Sequence, residues 1–237
     1  MSSRQEEKER RKLERIEREH AEAAAAKRKR LLMTAAGALV AVVAVVAIVL
    51  AVSSGENDTS GGPSDVNGVP SVAIPARKIT NLQEAAKAAG CAVREFPEEG
   101  REHIPDNQSF NGYKTNPPTS GTHHQTPAQD GIYTAGTEPA KESWVHTLEH
   151  GRIILQYKPG TPKRVIGQLQ TLFNEKVKGG PAGYHMVLLQ NNTKMPYQVA
   201  AVAWRAYIGC NEVNDKTWDA LRAFRDTYVD KGPEAVP

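Results

Sequence analysis

The chain has 237 residues, 39% hydrophobic and 24% charged, with a formal net charge of +3 at pH 7. Residues 1–30 carry 11 Lys and Arg against 7 Asp and Glu, and the remainder 19 against 20. The basic excess therefore belongs to one short segment without Phe, Trp or Tyr, which excludes a nucleic-acid patch of clustered cations interleaved with aromatics.

That segment, residues 1–30, pairs acid and base at helical spacing, as in Glu6 with Arg10, Glu7 with Arg11 and Glu14 with Arg18. It reads as a charged, solvated leader helix. From Ser3 to Arg30, Leu13 and Ile16 are its only large apolar side chains, too few for a coiled-coil seam.

Leu31 to Val52 then runs 22 residues without a charge. As a helix it would span roughly 33 Å, enough to cross a hydrocarbon core. The run Lys27-Arg28-Lys29-Arg30 at its near end stays cytoplasmic under the positive-inside rule and meets anionic headgroups there. A cell-membrane protein with one span is expected, its N-terminus inside and everything after about residue 55 outside. The membrane is thus one partner, through residues 31–52, and a membrane-protein partner is a further expectation. Residues 53–75, rich in Ser, Gly, Pro, Asn and Asp, read as a flexible tether.

Residues 76–237 have length enough for one globular domain. Thr80 to Gly90 reads as a short helix with Thr80 or Asn81 as cap and Gly90 as stop. Glu95 to Tyr133 reads as loops and short strands. Ile153 to Tyr157 is a strand candidate, and Val165, Ile166, Leu169, Leu172 and Phe173 make Pro162 to Lys176 an amphipathic helix. Tyr184 to Gln190 and Tyr197 to Ile208 are expected to pair as a hairpin. Asn214 or Asp215 opens a last helix with Trp218, Leu221, Phe224 and Tyr228 on one stripe. The order implies an α+β domain, a mainly antiparallel sheet with helices covering one side.

Cys91 and Cys210 are the only cysteines, and both fall beyond the span, where the compartment is oxidising. One disulfide is the economical reading. Two reactive or metal-binding thiols are the alternative, without a C-x-x-C spacing to recommend it.

Five of the seven histidines, His103, His123, His124, His146 and His150, lie within 48 residues. Imidazole is the usual ligand for zinc and copper, so those are the two metals such a set would take, with Met186 and Met195 as sulfur candidates for copper. The string His146-Thr147-Leu148-Glu149-His150 has the H-x-x-E-H order of inverzincin metallopeptidases. On a helix, His146, Glu149 and His150 share a face; in a strand, Glu149 would point away from both histidines. Gly151 would stop a helix, whereas Ile153 to Tyr157 would draw the string into a strand.

Taken together, Gly90-Cys91, His103, Tyr113, Pro117-Pro118-Thr119-Ser120-Gly121-Thr122-His123, Gly131-Ile132-Tyr133 and Val145-His146-Thr147-Leu148-Glu149-His150-Gly151-Arg152 resemble the actinobacterial membrane-anchored domain of unknown function 3105 family, over about residues 80 to 230. Trp204 and Cys210 fit as well. The resemblance implies an extracytoplasmic domain on one membrane helix and marks His103, His123, His146, Glu149 and His150 as motif residues, with His124 outside the motif. It implies no activity.

Three functional readings follow. The first is a binding or accessory domain, not an enzyme, in which His103, His123, His146 and His150 converge either on a metal or as a polar network, with Glu149 as base or supporting group. The second is a zinc hydrolase using His146 and His150 as ligands and Glu149 as base. The third is a scaffold subunit of a membrane complex with structural histidines.

Overall fold

The computed structural model describes residues 68–234. The leader helix and the span at 31–52 lie outside the described residues; among those described, no helix is long and apolar enough to cross a membrane.

The elements, in chain order, are α1 (Leu82–Ala89), β1 (Ala92–Glu95), β2 (His103–Ile104), β3 (His123–His124), β4 (Gly131–Ile132), α2 (Lys141–Glu149), β5 (Ile153–Tyr157), α3 (Lys163–Asn174), β6 (Met186–Gln190), β7 (Val199–Ala203), β8 (Ala206–Cys210) and α4 (Thr217–Tyr228). Six strands form one sheet in the order β1-β8-β7-β5-β6-β4, and β2 and β3 form a separate two-stranded ladder. The pairs β1–β8, β8–β7 and β7–β5 are antiparallel, while β5–β6 and β6–β4 are parallel. The domain is α+β with a mostly antiparallel sheet and four helices.

Local chemistry explains most boundaries. Asn81 caps α1 by accepting the Glu84 amide at 3.0 Å, and Gly90, left-handed at φ 72°, closes it. Asn214 accepts the Lys216 amide ahead of α4, whose Trp218, Leu221 and Phe224 are fully buried.

Period-2 alternation along the strands feeds two cores. Ile153, Leu155, Met186, Leu188, Ala201 and Ile208 face α1, α3 and α4. Ile154, Val187, Leu189, Val202 and Tyr207 face the other way, onto Trp144, Val145 and Leu148 of α2. Helices therefore cover both sides of the sheet, not one. The cause is the nearly continuous apolar character of β5, β6 and β7, interrupted only by Gln156 and Gln190, whose second face also needs a cover.

Two further expectations are corrected. The strand after Tyr184 does not pair with the one after Tyr197, because β5 lies between β6 and β7. The stretch 197–208 instead folds back on itself as β7 and β8, turning at Trp204-Arg205 with Arg205 at φ 61°. No Gly or Asn marks that turn. It is held from outside, by the Arg205 amide on the Thr119 carbonyl at 2.9 Å and by the Phe96 amide on the Arg205 carbonyl at 2.8 Å. The second correction concerns the tether, which ends before residue 75. The Val72 amide bonds the Gly167 carbonyl at 3.1 Å and Thr171 Oγ1 donates to the Val72 carbonyl at 2.8 Å, laying this segment along α3. Gly167 permits the approach, since a Cβ there would stand 2.3 Å from the Pro70 carbonyl oxygen.

Cys91 and Cys210 are joined by a disulfide with a Cα separation of 4.4 Å, one step beyond the Ala92–Gly209 pair of β1 and β8. Among the described residues no cysteine is free.

Candidate metal centre

The β2–β3 ladder brings together two histidines twenty residues apart. Its parallel register sets His103 beside His123, with ring centroids 4.4 Å apart and Nε2 atoms 3.2 Å apart. Helix α2 lies against this ladder. His146 on α2 places its ring 4.8 Å from the rings of both His103 and His123, and Glu149, three residues on and so on the same face, brings Oε2 to 3.0 Å from His123 Nε2. His150 follows as the residue closing the helix, its Nε2 3.0 Å from His146 Nε2. The string 146–149 is thus helical. Gly151 resolves the ambiguity, turning the chain at φ 77° so that its amide caps Leu148 while β5 starts two residues later.

Backbone carbonyls orient the two central imidazoles. His123 Nδ1 donates to the Gly121 carbonyl at 2.8 Å, and His146 Nδ1 donates to the His124 carbonyl at 2.6 Å. A carbonyl can only accept, so each Nδ1 carries the hydrogen and each Nε2 presents a lone pair. This is the arrangement by which proteins fix the tautomer of a ligating histidine. His103, His123, His146 and Glu149 each offer one atom to a group whose members all lie within 4.8 Å of one another.

The electrostatics suit a cation. Burial lowers the pKa of His123, His146 and His150, keeping the rings neutral. Burial, with the Glu234 charge beside it, raises Glu149 to about 7 against the pull of Arg101. Glu149 is fully buried, and neither carboxylate oxygen has a hydrogen-bond partner. His123 Nε2 at 3.0 Å cannot serve, because it carries no hydrogen. Arg101 Nε stands 3.9 Å off, and its guanidinium donates instead to Glu98, through Nε and Nη2 at 2.8 Å each.

The remaining expected residues separate cleanly. His124 lies outside the group, bonding Ser143 Oγ at 3.0 Å and the Gln108 carbonyl at 2.8 Å. The sulfur candidates for copper are elsewhere: Met186 is packed in the core beneath α3 and α4, and Met195 is buried with its amide on Asn191 Oδ1. Two contributors were not placed at the site by the sequence reading, which named Trp204 only as fitting the resemblance. Trp204, whose ring sits edge-on to His123 with centroids 6.1 Å apart, donates Nε1 to Glu98 at 3.1 Å. Glu234 lies in a Gly-Pro-Glu string without periodicity, and its Oε2 is 3.4 Å from His150 Nε2. No spacing rule would have found either.

Gly121 is a lever on this geometry. It holds φ 118°, and a Cβ there would stand 3.2 Å from the Tyr113 ring. Gly121→Ala is expected to cost roughly 1–3 kcal/mol in strain and to turn the carbonyl away from His123. Denaturant unfolding, with metal titration of the same variant, checks both effects. Unchanged stability would show that the turn relaxes freely.

The fold and the group together define an α+β domain with a largely buried imidazole–carboxylate cluster between α2 and the β2–β3 ladder. The chain belongs to the family described as Protein of unknown function (DUF3105), which matches residues 103–236. That interval contains every residue of the cluster. Comparison with curated proteins and with solved structures returns no match.

Proposed function

We propose that the domain is an extracytoplasmic binding or accessory module holding one divalent transition metal, zinc or copper(II), through His103, His123 and His146 Nε2 and a Glu149 oxygen. Residues 31–52 anchor it in the cell membrane with the N-terminus cytoplasmic. The disulfide between the only two cysteines supports that compartment.

The observation that carries the reading is the buried Glu149 carboxylate without a donor. A polar network of imidazoles accounts for the short contacts between His103 and His123 and between His146 and His150, each being one N–H on one lone pair. It leaves the ionised Glu149 facing lone pairs, a desolvated carboxylate whose nearest cation, Arg101 Nε, is 3.9 Å away. A cation at the centre satisfies the three rings and the carboxylate at once, and tetrahedral bonds near 2 Å would bring the ligand atoms to about 3.3 Å of one another. Three imidazoles and a carboxylate without sulfur suit zinc or copper(II) rather than copper(I).

Hydrolysis is the weaker reading. A catalytic zinc keeps an open position with a base beside it, and four protein ligands, Glu149 among them, leave neither. A groove of about 390 Å³, lined by Glu98, Arg101, Trp204 and Lys231 among others, is not lined by any of the histidines.

The test is elemental analysis of the purified chain, followed by titration of the metal-stripped protein with Zn²⁺ and with Cu²⁺. One equivalent of either, bound with micromolar or tighter affinity, is expected. Failure to take up either ion would leave only the scaffold reading.

A further inference from the structure

His146 belongs to two groups at once. Besides the inner set, His146, His150 and Glu234 each offer an atom within 4.8 Å of the others. The inner set is buried except for His103, whereas the Glu234 side chain is 47% and the His150 side chain 13% exposed. Yet Glu234 is held in place by its backbone. Its amide donates to the Glu149 carbonyl at 3.1 Å, and the Asp230 amide donates to the Gly151 carbonyl at 2.9 Å. Gly232 between them fits so closely that a Cβ would stand 2.0 Å from the Glu149 carbonyl oxygen. The chain around residues 230–234 is therefore fastened to the turn that carries Glu149, His150 and Gly151, and the Glu234 carboxylate is aimed at His150.

With Nδ1 committed to the His124 carbonyl, His146 has a single lone pair to offer, and one lone pair binds one cation. The two groups cannot be filled together.

We infer that His146, His150 and Glu234 form an outer coordination position for the same ion that the inner set holds, the ion passing between the two by exchanging ligands around His146. This rests on the metal reading above. An ion arriving from solvent meets the exposed carboxylate and His150 first, then trades them for His123 and Glu149 while His146 stays bound. The ion's charge and oxidation state do not change.

The experiment uses the metal-stripped full chain and Zn²⁺, followed by calorimetric titration. The wild-type chain is expected to bind one equivalent and no more. His123→Ala, which disables the inner set, is expected to bind one equivalent still, at least tenfold more weakly. Adding Glu234→Gln to His123→Ala is expected to weaken binding at least tenfold again. Should His123→Ala fail to fold, His103→Ala with Glu149→Gln replaces it as the inner-site background. Two equivalents on the wild-type chain would overturn the inference, as would no binding by the inner-site variant or indifference of that variant to Glu234→Gln. No Zn²⁺ on the wild-type chain would instead overturn the metal reading itself.

Discussion

His146→Ala is expected to weaken Zn²⁺ or Cu²⁺ binding by more than about 100-fold, the upper end of what loss of a mere supporting group costs a metal site. His146 is the member that both ligand groups share, so no rearrangement within either can replace it. The substitution also strips the His124 carbonyl of its donor at 2.6 Å, which should cost the fold roughly 1–3 kcal/mol. A purely structural imidazole would show that stability loss alone. His124→Ala is the counterpart, since its ring bonds Ser143 and the Gln108 carbonyl, not the cluster. It should lower stability comparably while leaving metal affinity within about tenfold. Parallel titration and denaturant unfolding of the two variants separate the readings, and equal metal affinity in both would sink the proposed site.

Reducing the Cys91–Cys210 disulfide, or replacing both cysteines with Ser, is expected to remove roughly 4–5 kcal/mol of stability. The two residues are 119 apart in sequence, and in the chain-entropy model closing a loop of that length restricts the unfolded ensemble by about this amount. For a domain of this size the loss corresponds to a fall in Tm of roughly 10–20 °C. The bond ties β1, an edge strand of four residues, to β8, and α1 precedes it directly, so the N-terminal part of the domain should loosen first. Thermal unfolding with and without reductant measures the total, and hydrogen exchange across residues 82–95 measures the local share. A shift below about 3 °C would mean that the reduced unfolded chain is already compact.

Features encoded within one segment were legible in advance. The Asn81 cap and Gly90 stop of α1, and the buried stripe of α4, depend on neighbours a few residues away. The string His146 to His150 was legible as a cluster but not as a helix, because its spacing suits helix and strand alike. Gly151, and the packing of Trp144 and Leu148 into the second core, decided it. What could not be read was anything requiring topology. The pairing of His103 with His123 depends on a two-residue ladder with no apolar alternation of its own. The insertion of β5 between β6 and β7 undid the expected hairpin, and the turn at Trp204-Arg205 draws its support from Phe96 and Thr119, far off in sequence. The same long-range assembly carries Glu234 to His150.

The close fit of Gly232 against Glu149 has a practical side for anyone purifying this protein. Glu234 itself stands with Oε2 3.4 Å from His150 Nε2, so a segment fused close behind it would start near the outer group. A polyhistidine tag fused there would supply competing imidazoles at high effective concentration and would counterfeit both stoichiometry and affinity. Affinity handles belong at the opposite terminus.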